Sequence, residues 1–511
     1  MAGIGFALKK VFQKDTFSNR ALAYLYSSFI AAGPWIISVI SINILLLIMK
    51  IANINSDERN LFSATIVYSF LFSQLLVAPI QLVVTRYISD KLYLQKYQIM
   101  RPTFIGVNNI VFSLSVIISI AFYFDKPLPM HYKILSAYLF IIISMIWVIM
   151  IFLSAVKNYK LIGIAYLFGG SLTVGLIFYF LENPIYFDEV QNATNFLLSY
   201  ILGLSLIFII LLYNFFSTFF YGNSEKYDFI KYFGKYAVLS LIGLFYTSGL
   251  WIDNLIMWFS VYEVDIYGTF IFAPFYDNAI FLSYLTTIVT LVLFLVIIET
   301  EFYETYREYY GKVNSAETLK EINKAKDKMI ESLKYNLFYT FMIQLLVCIT
   351  VVLLANPIFK ILQINYAIRD IFKFTTIGAL FNISAFINIL VLLYFEKKGK
   401  ALSIAIVFFT LNTLFTLYFR PRSIDYTGLG FTIASAITYV FSTILLHTYF
   451  SKINYETFAL QPIYLKKQKD VFAKVANKLN DYTEEKSDKL QRLSLRKKKK
   501  LSKKLNDKTS H

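Results

Sequence analysis

The chain has 511 residues, of which 57% are hydrophobic and 16% charged, with a formal net charge of +17. A soluble domain of this size does not need so much apolar surface, and a single cysteine, Cys348, excludes an intramolecular disulfide scaffold. Three scattered histidines, His131, His447 and His511, form no ligand pattern, and GxxxxGK[ST], HExxH and GxSxG motifs are all absent, so neither metal, cofactor nor enzyme chemistry is expected.

Apolar runs of about 20 residues recur along the chain, matching roughly 30 Å of hydrocarbon at about 1.5 Å per helical residue. They are too long for membrane strands and lack the alternation of a porin, so helices are how this backbone satisfies itself in lipid. The expected fold is all-α and polytopic, with spans at 21–49, 61–85, 104–124, 134–156, 161–181, 193–220, 236–261, 278–298, 335–359, 374–395, 401–419 and 427–450.

Residues 1–20 interleave Phe6, Leu8, Val11, Phe12 and Phe17 with Lys9, Lys10 and Lys14, as an interfacial helix or a simple topological anchor would. The first span is too long for a secretory leader and is read as retained. Gly33-Pro34 in this span and Pro79 in the second are candidate hinges, because proline removes a donor and crowds the preceding turn. Asn108 and Asn109 open span three, Gln344 lies in span nine, Asn382 and Asn388 in span ten and Asn412 in span eleven. These residues either bond across helices or line a polar path.

Span seven carries Gly249-Leu250-Trp251-Ile252-Asp253-Asn254, and Asp253 reads as the only acid deep in an apolar run, breaking the span. It should face a cavity, bind a cation, carry a proton or pair with a base, with Trp251, Asn254, Asn108, Asn109, Gln344 and Asn412 as candidate companions and Gly249 as a hinge. Segment 299–334 opens with acids among tyrosines and should continue span eight beyond the membrane. Gly311 is expected to end that extension, and Ala316 to Lys334 to form a second helix, as a solvated linker or a docking and gating element. Beyond Phe450, residues 451–511 hold 17 Lys or Arg and 7 Asp or Glu, ending in Arg496 to Lys500 and Lys503-Lys504. This tail suits anionic lipid head groups; no RNA-binding module accompanies it, so no nucleic acid is expected.

Basic residues fix an orientation: 23 fall on the side of the N-terminus within the first 450 residues, and 9 on the other. Both termini are therefore expected in the cytoplasm. The chain divides into a segment 1–20, a first lobe 21–220, a linker 221–235, a second lobe 236–450 and the tail. Tyr26-Ser27-Ser28 before Gly33-Pro34-Trp35 is echoed by Tyr246-Thr247-Ser248 before Gly249-Leu250-Trp251, suggesting parallel repeats of six spans. Thr85-Arg86-Tyr87 after span two is likewise echoed by Thr300-Glu301-Phe302 after span eight, and Arg86, Asp90, Glu299 and Glu301 are a candidate cytoplasmic gate.

Met1-Ala2-Gly3-Ile4-Gly5-Phe6, Gly33-Pro34-Trp35, Thr85 to Asp90, Gly249 to Asp253 and Glu299 to Tyr306 together resemble the PelG family of inner-membrane exopolysaccharide exporters over residues 1–455. That family is similar to the multidrug/oligosaccharidyl-lipid/polysaccharide (MOP) flippases, with two six-helix lobes around a cavity. The resemblance implies export of a Pel-type N-acetylhexosamine polymer across the bacterial cytoplasmic membrane, in a biofilm setting. It also implies a cytoplasmic glycosyltransferase of the PelF kind and membrane partners of the PelD and PelE kinds. The +10 tail departs from the family pattern. Other functions compatible with the chain are a flippase for lipid-linked oligosaccharide or drug, and a non-transporting scaffold of a synthase complex.

Overall fold

In a computed structural model, the described residues are 41–153, 159–187, 189–220, 225–361, 366–420, 426–458 and 471–482. Their helices run α1 (Ser41–Ile51), α2 (Ser56–Tyr93), α3 (Met100–Tyr123), α4 (Met130–Leu153), α5 (Tyr159–Glu182) and α6 (Gln191–Thr218). A short α7 (Lys231–Lys235) precedes α8 (Ala237–Met257), a hairpin of β1 (Val264–Ile266) and β2 (Phe270–Phe272), α9 (Pro274–Leu285) and α10 (Ile288–Ile297). Then come α11 (Tyr303–Asn314), α12 (Leu319–Ile361), α13 (Tyr366–Tyr394), α14 (Lys398–Phe419), α15 (Leu429–Ser451), α16 (Ile453–Phe458) and α17 (471–482).

Eleven helical stretches among the described residues are long and apolar enough to cross a membrane. The expected first span lies mostly outside the described residues, as do residues 1–20, Gly33 and Pro34; α1 is its far end. Outward faces stay apolar, with Ile120 62% and Leu353 72% exposed, as lipid requires. Intramembrane hydroxyls are absorbed locally: Thr65 and Ser69 donate to the carbonyls of Leu61 and Thr65 at 2.8 and 2.7 Å.

The structure revises several boundaries. Helix α8 runs unbroken through Asp253 and ends at Met257. Segment 262–277, read as a loop, contains an antiparallel hairpin in which Asp265 pairs with Ile271, so a small sheet joins the all-α bundle. Pro274 then starts α9 at its first turn, where its missing N–H is no loss. Gly311 does not end the extension after span eight, because α11 continues to Asn314. Contacts with α12 hold it: Lys328 meets Glu308 at 2.8 Å and Lys312 meets Glu321 at 2.9 Å. The second helix expected from Ala316, leading into span nine, begins at Leu319 and runs without a break into that span as α12, 43 residues long and so roughly 65 Å from end to end.

Helices α2 to α6 pack chiefly on one another, and α8 to α15 likewise; α2 lying along α8 joins the two groups. At the middle of this seam an added Cβ on Gly243 would meet the Ala78 carbonyl oxygen at 2.2 Å, so only glycine allows the approach. Helix α2 continues through the adjacent Pro79. One end of the bundle carries the hairpin. The other, the basic end, carries residues 94–99, 225–236, 298–318, 395–397, 453–458 and 471–482.

Candidate functional site

Two carboxylates are buried where α8 meets α9. Asp253 and Asn254 are neighbours on α8, and Tyr276 and Asp277 are neighbours on α9, so the helices exchange an acid and a donor in each direction. The Tyr276 hydroxyl donates to Asp253 Oδ2 at 2.5 Å, and Asn254 Nδ2 donates to Asp277 Oδ1 at 2.6 Å. The Trp258 indole N–H donates to Asp277 Oδ2 at 2.9 Å, and the Ala273 backbone N–H reaches the same oxygen at 3.3 Å.

Asp253 is fully buried and Asp277 is 8% exposed. Among the described residues no Lys or Arg pairs with either, so the base expected as one possible partner of Asp253 is not found there. The ion pairs of α2 and of the linker that precedes α8 sit at the basic end. Asp253 Oδ1, Asn254 Oδ1 and the Tyr284 hydroxyl are buried without a hydrogen-bond partner. A cluster with two acids, only neutral donors and unsatisfied oxygens can take up a proton or a monovalent cation.

The sequence alone does not single out Asp277 and Tyr276, because 262–277 reads as a loop between spans seven and eight. The signal was Pro274, which fits the first helical turn and would have moved Asp277 inside the span.

The remaining expected residues divide between the seam and interiors of the helix groups. The Trp251 indole donates to Gln74 Oε1 of α2 at 2.8 Å, across the seam. Asn412 Nδ2 donates to the Gly249 carbonyl at 2.9 Å, and an added Cβ on Gly249 would lie 2.6 Å from the Phe408 ring, so this glycine seats α8 on α14. Gln344 Oε1 accepts from Thr290, and Gln344 Nε2 has no partner. Asn108 Oδ1 is buried and unpartnered, while Asn109 Nδ2 lies 3.5 Å from the Tyr227 hydroxyl, far from Asp253 in the chain's course across the bundle.

At the basic end, Arg86 of α2 pairs with Glu396, between α13 and α14, at 2.7 Å and with Asp90 at 3.1 Å. Burial raises the Glu396 carboxyl, but Arg86 and Lys398 outweigh it and hold it below its ordinary range. Tyr232 also donates to Asp90, at 3.2 Å. Arg86 and Asp90 lie one turn apart on α2, and the contact that crosses to the second helix group is the one between Arg86 and Glu396. Glu301 is exposed and takes no ion pair among the described residues; Glu299 falls in a π turn, Ile298–Phe302, and its side chain lies outside the described set.

At the hairpin end Tyr68 of α2 stacks on Trp258 with centroids 4.4 Å apart, and meets Phe270 edge-on at 4.9 Å. Its hydroxyl donates to the Ile271 carbonyl at 2.7 Å and accepts from the Ile271 N–H at 3.1 Å. The seam is therefore closed at both ends by polar contacts and filled between them by aromatic and amide side chains.

The chain matches the PelG exopolysaccharide exporter (EPS-E) family over residues 1–458. Its fold is similar to a MOP superfamily transporter from Pyrococcus furiosus, with TM-score 0.55 at 14% identity, covering 84% of this chain and 96% of that one. An inward-facing MATE transporter of the same superfamily gives TM-score 0.55 at 11% identity, over 81% and 95% of the two chains. A MATE structure in complex with MaD5 gives 0.53 at 13%, over 84% and 96%. No curated protein matches. The unbroken family match, laid over a multi-pass bundle of transporter fold, means that the chain belongs to the PelG exopolysaccharide exporter family and is a membrane transporter rather than an enzyme.

Proposed function

We propose that this exporter carries a Pel-type N-acetylhexosamine polymer out of the cytoplasm, with its basic end facing the cytoplasm in the bacterial inner membrane. The observation that carries this reading is the chemistry of the seam between the two helix groups. Tyr68, Trp251 and Trp258 offer flat apolar rings, Gln74 and Asn254 offer amides, and among the described residues no cationic side chain enters the middle of the seam. An uncharged N-acetylated sugar chain presents C–H faces for such rings and hydroxyl and acetamide groups for such amides. A glycosyltransferase of the PelF kind at the basic end supplies the chain, and membrane proteins of the PelD and PelE kinds surround the exporter.

The two groups rock about the seam, releasing the Arg86–Glu396 pair at one end and the Tyr68–Ile271 bonds at the other. The Asp253/Asp277 unit takes up a proton or a monovalent cation as this happens.

The test is reconstitution with the candidate glycosyltransferase in vesicles, following radiolabelled polymer into a protected compartment. Protection should depend on the exporter. Polymer made but equally unprotected with and without it would exclude transport and favour a scaffold.

A further inference from the structure

Helix α17 lies beyond residue 458, where the family match ends. Its sequence, Val471 to Tyr482, puts Phe472, Ala476, Leu479 and Asn480 on adjoining faces of one helix. These are the residues that meet the bundle. Ala476 is fully buried and Asn480 5% exposed, unusual for a basic terminal segment. Leu479 packs on the main apolar core, and the Phe472 ring stacks on Phe233 at 6.3 Å. Asn480 Oδ1 accepts from the Tyr227 backbone N–H at 3.0 Å, and Asn480 Nδ2 donates to Glu225 at 3.0 Å.

The surface that receives α17 belongs to the linker, and the linker is fastened to the first helix group. Asp228 accepts from Tyr87 and Lys91 of α2, each at 3.2 Å. Burial raises this carboxyl, but Lys231 and Lys91 outweigh it, so it stays charged below its ordinary range. An added Cβ on Gly106 of α3 would meet the Lys226 carbonyl oxygen at 2.2 Å, so linker and α3 are in close contact.

The tail, in contrast, leaves from the second group. Glu456 of α16 pairs with Lys397 at 2.7 Å and Lys400 at 3.1 Å, and Asn454 bonds Tyr309 and Asn323 at 3.3 and 2.7 Å. Anchored in one group and docked on the other, the tail adds a non-covalent tie between them to the covalent one made by the linker itself.

We propose that α17 is a strap holding the basic ends of the two helix groups together, and that it must leave the linker for that end to open. This rests on the rocking motion of the proposed function, but makes a separate structural claim. Docking is intramolecular, so modest contacts suffice to keep it occupied, and losing a few of them shifts it strongly.

The experiment measures distances by pulsed electron spin resonance in nanodiscs. Spin labels are attached through Lys96→Cys in the first group and Lys452→Cys in the second, in the full chain carrying Cys348→Ser. Asn480→Ala removes both side-chain bonds and should raise the ratio of long to short separations about tenfold. Ala476→Arg, which cannot be buried there, should do the same. Lys474→Ala, on the exposed face of α17, should leave the distribution unchanged. If Asn480→Ala and Ala476→Arg both keep the parental distribution, or if Lys474→Ala moves it equally, the strap is refuted. Because no polymer is involved, failure of export would not alter this result, and a failed strap would leave the export test standing.

Discussion

Replacing Asp277 by alanine and by asparagine separates two ways in which a buried acid can matter. Asp277→Ala strips the acceptor from Asn254 Nδ2, Trp258 Nε1 and the Ala273 N–H. A buried donor left alone costs roughly 1–3 kcal/mol, so the loss should be about 3–6 kcal/mol after some relaxation. Asp277→Asn can keep its oxygen toward Trp258 and Ala273 and turn its new amide group toward Asn254. Asn254 has an unpartnered Oδ1, and rotating its amide would let that oxygen accept. The expected loss is then about 1 kcal/mol or less. Thermal unfolding of the full chain in detergent, followed by tryptophan fluorescence, measures both. In an Asn254→Leu background the asparagine's advantage should shrink, because its amide group then lacks an acceptor while its oxygen still serves Trp258 and Ala273. Equal destabilisation by asparagine and alanine would refute the donor-geometry argument and leave charge as what holds the site. Asp277→Asn that is stable yet export-dead would assign the acid to proton or cation uptake.

Gly243→Val should lower the unfolding temperature and cost about 1–3 kcal/mol, because its side chain would be driven into the α2 backbone at Ala78. Gly311→Ala, with nothing within 4 Å of the new methyl group and a helical position inside α11, should stabilise by about 0.5–1 kcal/mol. Arg86→Glu should weaken the pairing across the basic end and Glu396→Arg should restore it in the double variant; both side chains are partly exposed, so a double-mutant cycle should read about 0.5–1 kcal/mol. Burial raises the Glu456 carboxyl, but Lys397 and Lys400 hold it below its ordinary 4.5. Its contribution should therefore be complete above pH 4.5 and disappear as the pH falls through the lowered value, and Glu456→Gln should flatten that part of a stability-against-pH curve.

Most of the bundle was legible because hydrocarbon imposes one length and one backbone solution, so spans such as 134–156 and 427–450 reappear nearly intact as α4 and α15. What lay just outside the hydrocarbon was not legible. The hairpin's strands are three residues each, too short to show an alternating pattern, so 262–277 reads as a loop and leaves Tyr276 and Asp277 outside the spans. Asp253 was found because a carboxylate in an apolar run stands out, whereas its partner sits at a helix start where acids are ordinary. Arg86 and Asp90 read as gate candidates because they follow span two, but Glu396 follows α13, and only folding brings it within 2.7 Å of Arg86. The docking of α17 was hidden by composition: within a lysine-rich tail, Ala476 and Asn480 carry no signal until the linker is beneath them.

The Tyr68 hydroxyl fills the place of a third β-strand. By giving and receiving one bond with the same residue, Ile271, it borders the hairpin as a neighbouring peptide would, but it does so from the tip of a side chain on α2. Rings stacked at 4.4 Å can slide over one another with little change in energy, whereas two directional bonds on one oxygen hold only in one alignment. The joint therefore works like a spring-loaded detent: smooth in travel, with one click-stop. Tyr68→Phe keeps the sliding face and removes the stop.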